Sequence, residues 1–113
     1  MKAALVTVAL TLALTSVAMA VQPIVRGAGA RSCGAWISEE GGPYQVENHE
    51  WLLGYISAFN TYALTVDADV TQGIDIDGLY VWMDNYCRAH PLDLIQVAAN
   101  ALISELQHRS GVR

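Results

Sequence analysis

After Lys2 the chain has no lysine; its only other fixed cations are five arginines, set against eleven acidic residues for a formal charge of −5. Nucleic acids and anionic membrane surfaces are engaged through Lys/Arg patches that displace counterions, so this balance argues against both as partners. A basic protein partner remains open. Cysteine is just as sparse, with Cys33 and Cys87 the only two. A catalytic thiol needs an activating base beside it, and a zinc site needs more than two sulfurs and scattered histidines. Nucleophile motifs of the G-x-S-x-G kind are missing, and Ser57 sits in a helical stretch without an evident base. No alternating strand pattern and no internal repeat is present. These absences remove the usual enzyme classes, and neither a cofactor nor a metal is expected.

What is there begins with MKAALVTVALTLALTSVAMA. One cation, an uncharged run and then Ala18-Met19-Ala20 read as a secretory signal cleaved after Ala20. The run is barely long enough for a spanning anchor, and the small-x-small site ends it. Loss of Lys2 with the leader makes the mature chain one unit more negative still. Export would place Cys33 and Cys87 in an oxidising compartment, where a disulfide between them is the simplest reading for a domain with a small core. On the chain-entropy model such a loop closure stabilises by roughly 4 kcal/mol.

The mature chain, residues 21–113, is organised as one small domain. Residues 21–31, VQPIVRGAGAR, mix glycine, alanine and proline without periodicity and read as a loose N-terminal tail. Residues 32–113 form a single helical domain. A short helix is expected over 32–40, with Ser32 as its N-cap and Gly41-Gly42-Pro43 as its stop. A second spans 47–66, with Trp51, Leu52, Tyr55, Ile56, Phe59, Tyr62, Ala63 and Val66 at helical spacing. A third, 76–89, starts at an Asp75 cap and carries Ile76, Leu79, Met83, Tyr86 and Cys87 on one face. A fourth starts at Pro91, with Asp93 in its first turn, and stops near Gly111; Leu92, Ile95, Ala99, Leu102 and Leu106 make its stripe. The fold class that follows is all-α, a small four-helix bundle with one disulfide.

Four further signals bear on function. HEWLL at 49–53 begins like the zinc-protease motif, but Leu53 stands where the second histidine belongs. DADVTQGIDIDG at 67–78 suggests a calcium loop until its spacing is compared: the glycine falls one place late and the twelfth position is Gly78. His49, His90 and His108 are expected at helix ends, with His90 before Pro91 a turn residue first and a pH sensor second. Of the aromatic residues most are assigned to the core, with Trp82 the foremost candidate for exposure at an interface.

The run W-L-L-G-Y-I-S-A-F-N at 51–60, the acidic connector after it, G-L-Y-V-W-M-D-N-Y-C-R-A-H-P-L-D at 78–93, and the upstream C-G-x-W at 33–36 resemble the Rap/Tai family of periplasmic immunity proteins. The resemblance covers residues 32–108. It implies a small helical periplasmic protein of the HdeA/Tai-like kind, often a homodimer, that blocks a peptidoglycan amidase effector of type VI secretion. It also implies that Cys33 and Cys87 are the family disulfide, and that Trp51, Gly54 and Tyr55 belong to the scaffold. The HdeA-like acid-stress chaperones are the alternative, and an accessory envelope subunit a third reading. Within the inhibitor reading the expected partner-binding residues are Asp67, Asp69, Gln72, Asp75 and Asp77. They lie in a connector that the core has little need of, where loops on rigid scaffolds commonly carry recognition and where negative charge speeds encounter with a basic enzyme. The plainer reading of the same segment is a solvated loop.

Overall fold

The computed structural model describes residues 24–65 and 67–113. The leader, its cleavage site and Val66 lie outside the described residues. A 3-10 helix, Gly27–Ala30, is followed by four α-helices: α1 (Cys33–Ser38), α2 (Gln45–Tyr62), α3 (Ile76–Ala89) and α4 (Ile95–Ser110). The extended structure among the described residues is an isolated bridge between Ser32 and Leu94. No described helix is long and apolar enough to cross a membrane.

Two helix starts follow the capping chemistry read from the sequence. The Ser32 hydroxyl accepts the Ala35 amide at 3.2 Å and the Asp75 carboxylate accepts the Gly78 amide at 2.6 Å, each satisfying a donor that the helix leaves free. At the far end α4 closes on Gly111 in the left-handed conformation, φ 71°, which a residue with a side chain adopts only at a cost.

Two other boundaries depart from the expected ones. α4 starts at Ile95, not at Pro91, because the backbone before it is already engaged. The carbonyl groups of Pro91 and Asp93 accept the amides of Gly34 and Cys33 at 2.9 and 2.7 Å, and Ile95 donates to the Arg31 carbonyl at 2.9 Å. Leu92 therefore leaves the helical stripe and is 92% exposed, whereas Ile95, Ala99, Leu102 and Leu106 are buried as expected, together with Ala98 and Ile103. α2 begins two residues early, at Gln45, and gives way at Ala63. Past that point the Asn60 side chain reaches into the connector, accepting the Val70 amide at 3.1 Å and donating to Asp69 at 2.7 Å. Val70 is thereby drawn into the core at 1% exposure, so the connector is anchored rather than dispensable.

Residues 24–31 are likewise not loose. Gly27, at φ 73°, makes the tight turn into the 3-10 helix, and the bare face of Gly29 lies directly against the Trp51 ring. The Trp51 indole N–H donates to the Arg26 carbonyl at 2.8 Å, and Ala28 is buried. Arg31 continues the attachment: its guanidinium donates to Glu39 at 2.7 Å and to Asn48 at 2.6 Å, while Asn48 donates to Glu39 at 2.8 Å. Asn48 is buried with every hydrogen-bonding atom satisfied, the condition under which a polar group can be held in a core.

The Cys33–Cys87 disulfide ties α1 to α3 across a Cα–Cα distance of 4.7 Å, as expected from the sequence. Around it pack Trp36, Leu52, Ile56, Leu79, Met83 and the α4 stripe. On α2 the buried positions are Asn48, Leu52 and Ile56, a single row at four-residue steps. That narrow row corrects the aromatic expectation. Trp36 is fully buried, but Trp51, Tyr55, Phe59, Tyr80, Trp82 and Tyr86 flank the core half-covered, and Tyr62, rather than Trp82, stands out at 86% exposure. Ile76, also assigned to a buried face, is exposed in the first turn of α3.

Two glycine substitutions test the docking of the N-terminal segment. A Cβ on Gly29 would overlap the Trp51 ring, so Gly29→Ala should destabilise by about 1–3 kcal/mol and shift the tryptophan fluorescence. A Cβ on Gly54, in mid-helix, meets open space, so Gly54→Ala should be neutral or stabilise by up to about 1 kcal/mol. Urea unfolding of both variants gives the comparison. A Gly29→Ala protein as stable as the parent would mean that residues 24–31 are a loose tail after all.

Candidate functional site

The five residues expected to bind a partner are distributed between a hollow, a helix cap and a groove. Asp67, Asp69 and Gln72 line an open hollow of about 980 Å³ at the end of α2, with Ser57, Asn60 and Thr61 opposite. Asp69 is held there by three donors on one oxygen: the Thr71 hydroxyl at 2.6 Å, the Asn60 amide at 2.7 Å and the Thr71 backbone N–H at 2.9 Å. The Thr71 hydrogen bonds, more than any other influence, pull its carboxyl below the usual range, because they favour the charged form. Asp75 is occupied in capping α3. Asp77, two residues on, lines a different groove.

That second groove lies between α2 and α3. α3 packs on α1 and α4, and α2 packs on the 3-10 helix and α4, so α2 and α3 are not zipped together along their lengths. The trough left between them, about 400 Å³, is lined by Glu40, Gln45, His49, Asp77, Tyr80, Val81 and Asp84. The His49 imidazole bridges it, stacked on the Tyr80 ring at 3.6 Å between centroids and 12° between planes, with the Trp36 ring 5.5 Å away. Under the stack, the Trp36 indole N–H donates to Asp84 at 2.7 Å.

The charges in this trough are strained against one another. Glu40 faces Asp84, and a hydrogen bond between their carboxyl groups, then burial, then the Asp84 charge, hold Glu40 above its ordinary value. Arg88, at 3.3 Å from Glu40, works the other way. Burial pushes His49 down, although Asp84, Asp77 and Glu50 pull it up, so the ring is neutral at pH 7 and free to stack. Tyr80 is pushed up by burial and by the negative charge of Glu50 and Asp77, which keeps its phenol protonated. The arrangement is an anionic trough with an aromatic bridge. Among the described residues no three His, Cys, Asp or Glu side chains are placed to hold a metal ion.

No family model, curated protein or solved structure matches the chain. The trough is not evident in the sequence because its residues come from the α1–α2 turn, from α2 and from α3, and become neighbours only in the fold. One signal was available: Asp77, Tyr80, Val81 and Asp84 recur at steps of three and four beside the apolar Leu79–Met83–Cys87 row, a second stripe on α3 that is polar and aromatic. Of the other histidines, His90 caps α3 and stacks on Tyr86, and His108 lies in the last turn of α4, both at helix ends as expected.

The pKa directions set opposing pH dependences. His49 is depressed in the folded state, so the stability associated with it is present above the ordinary histidine range and is lost as pH falls through that range to the lower folded value. Glu40 is raised, so its contribution is present at acid pH and is lost as pH rises through the raised value. His49→Gln should therefore narrow the fall in melting temperature between pH 7 and pH 5. An unchanged fall would show that the ring is not desolvated in the stack.

Proposed function

We propose that the protein is an exported inhibitor that binds a peptidoglycan amidase of the kind delivered by type VI secretion, in keeping with its resemblance to Rap/Tai immunity proteins and with an HdeA/Tai-like form of the helical fold. In this reading it works in the periplasm after removal of its leader, as a homodimer, and performs no catalysis itself. The observation that carries the reading is the way the acidic connector is presented. Asn60, the buried Val70 and the hydrogen bonds on Asp69 fix the segment on the end of α2, while Asp67 and Gln72 remain exposed at its rim. A preordered loop forfeits little conformational freedom on binding, and its charge suits a basic enzyme surface.

A specific feature favours the second reading, an acid-stress chaperone. The α2–α3 trough is bridged by His49, whose protonation works against the stacked, desolvated position it holds. Acid would loosen that bridge and uncover the apolar surface behind it.

Co-expression separates the two. Export of the protein together with secreted peptidoglycan amidases should protect the cells from lysis, and the double variant Asp67→Lys/Gln72→Lys should keep its helical circular dichroism while capturing the amidase at least about tenfold less tightly, roughly 1.4 kcal/mol. Absence of amidase capture, with suppression of protein aggregation near pH 2, would replace the inhibitor reading with the chaperone one.

A further inference from the structure

We propose that the trough between α2 and α3 is a second docking surface, and that it seats an arginine-bearing segment of a partner protein, with the guanidinium among Glu40, Asp77 and Asp84 and against the His49–Tyr80 stack. The inference rests on the reading of the protein as a binding protein and adds to the connector a contact of defined chemistry. Four observations support it. On its α3 side the trough is open, with Asp77 and Val81 of its lining exposed. Three carboxylates line the trough, with Glu50 near enough to act on both His49 and Tyr80, and among the described residues the cation that reaches them is the exposed Arg88 at the Glu40 end. The bridge across it is a pair of parallel rings, a surface on which a planar guanidinium stacks as an ammonium group does not. Val81 of α3 lines the trough and is 57% exposed, an apolar contact that favours a peptide segment over a bare ion.

Electrostatics also makes the empty trough a poor final state. Glu40 and Asp84 both line the trough, and the nearness of the Asp84 carboxyl together with burial holds the Glu40 carboxyl above its ordinary value, so two negative charges here oppose one another. An entering guanidinium offers donors to both carboxyl groups at once and replaces repulsion by two charge-assisted hydrogen bonds. Trp36 fixes one of the two by its bond to Asp84, which leaves that carboxylate preoriented for the guest.

The test uses the oxidised protein and two blocked eight-residue peptides, one alternating arginine and valine, the other with citrulline, the neutral isostere, in place of arginine. The arginine peptide should shift the nuclear magnetic resonance signals of His49, Tyr80 and the Trp36 indole N–H, and bind at least about tenfold more tightly than the citrulline peptide, as a charge-dependent contact requires. Asp77→Asn, at an exposed first-turn position, and Asp84→Asn, which keeps an oxygen for Trp36, should each weaken binding several-fold, while Asp67→Asn should not. Equal binding of the two peptides, or shifts confined to the 67–72 hollow, would overturn the proposal. An amidase captured equally well by Asp77→Asn and by the parent would also overturn it while leaving the inhibitor reading in place; a peptide seated in the trough with no amidase captured would do the reverse.

Discussion

The start of α1 is clasped to the corner between α3 and α4 by four links within a few residues: the Cys33–Cys87 disulfide, Cys33 N–H to the Asp93 carbonyl, Gly34 N–H to the Pro91 carbonyl, and Ile95 N–H to the Arg31 carbonyl. α1 has only six residues, too few to be stable as an isolated helix, so its position is set by this clasp rather than by its own propensity. The clasp also explains the shape of the α3–α4 corner. Backbone groups of 91–95 that a longer α4 would have used internally are taken by residues 31–34, and the Tyr86 hydroxyl donates to the Asp93 side chain at 2.8 Å to close the turn.

From the clasp outward each attachment depends on the one before. Arg31 follows directly on the 3-10 helix and links Glu39 at the end of α1 to Asn48 on α2. Trp51, one turn beyond Asn48, then receives the 3-10 helix on its ring. α2 is thus suspended from α1 and the N-terminal segment on one side and from α4 on the other, where the Gln96 amide donates to the Tyr55 hydroxyl at 3.2 Å and that hydroxyl donates to Asn100 at 2.7 Å. Nothing in this chain of attachments forces α2 against α3. The open trough is a consequence of where the scaffold is tied, and the carboxylates and rings that line it lie on faces the core does not use.

Much of the scaffold was legible from the sequence because it is local. Ser32 and Asp75 are caps that act within three residues, Gly111 is a stop that acts on its own helix, and the Leu79–Met83–Cys87 row follows from helical spacing. With two cysteines in an expected exported chain, the pairing followed as well. What could not be read were the non-local demands. Pro91 and Asp93 look like a helix start, and would be one, except that residues 31–34 claim their carbonyls. The glycines of 27–29 look like slack, and their lack of side chains instead admits the Trp51 ring. Asp69 and Asp75 look like a negative surface, although one is held by Thr71 and Asn60 and the other by the Gly78 amide. The trough is the extreme case, since Glu40, His49 and Asp84 become neighbours only after α1, α2 and α3 have been placed.

Amide hydrogen exchange of the oxidised protein and of the Cys33→Ala/Cys87→Ala variant tests the central claim, that the clasp holds the other elements in place. The account predicts that Cys33, Gly34 and Ile95 exchange in the parent only by global unfolding, and that position 33, Gly34 and Ile95 lose protection in the variant together with Leu52 and Ile56 of α2, by on the order of a thousandfold for a disulfide of about 4 kcal/mol. Retention of slow exchange at Leu52 and Ile56 while only 33 and 34 open would show that α2 is held independently, and would contradict it.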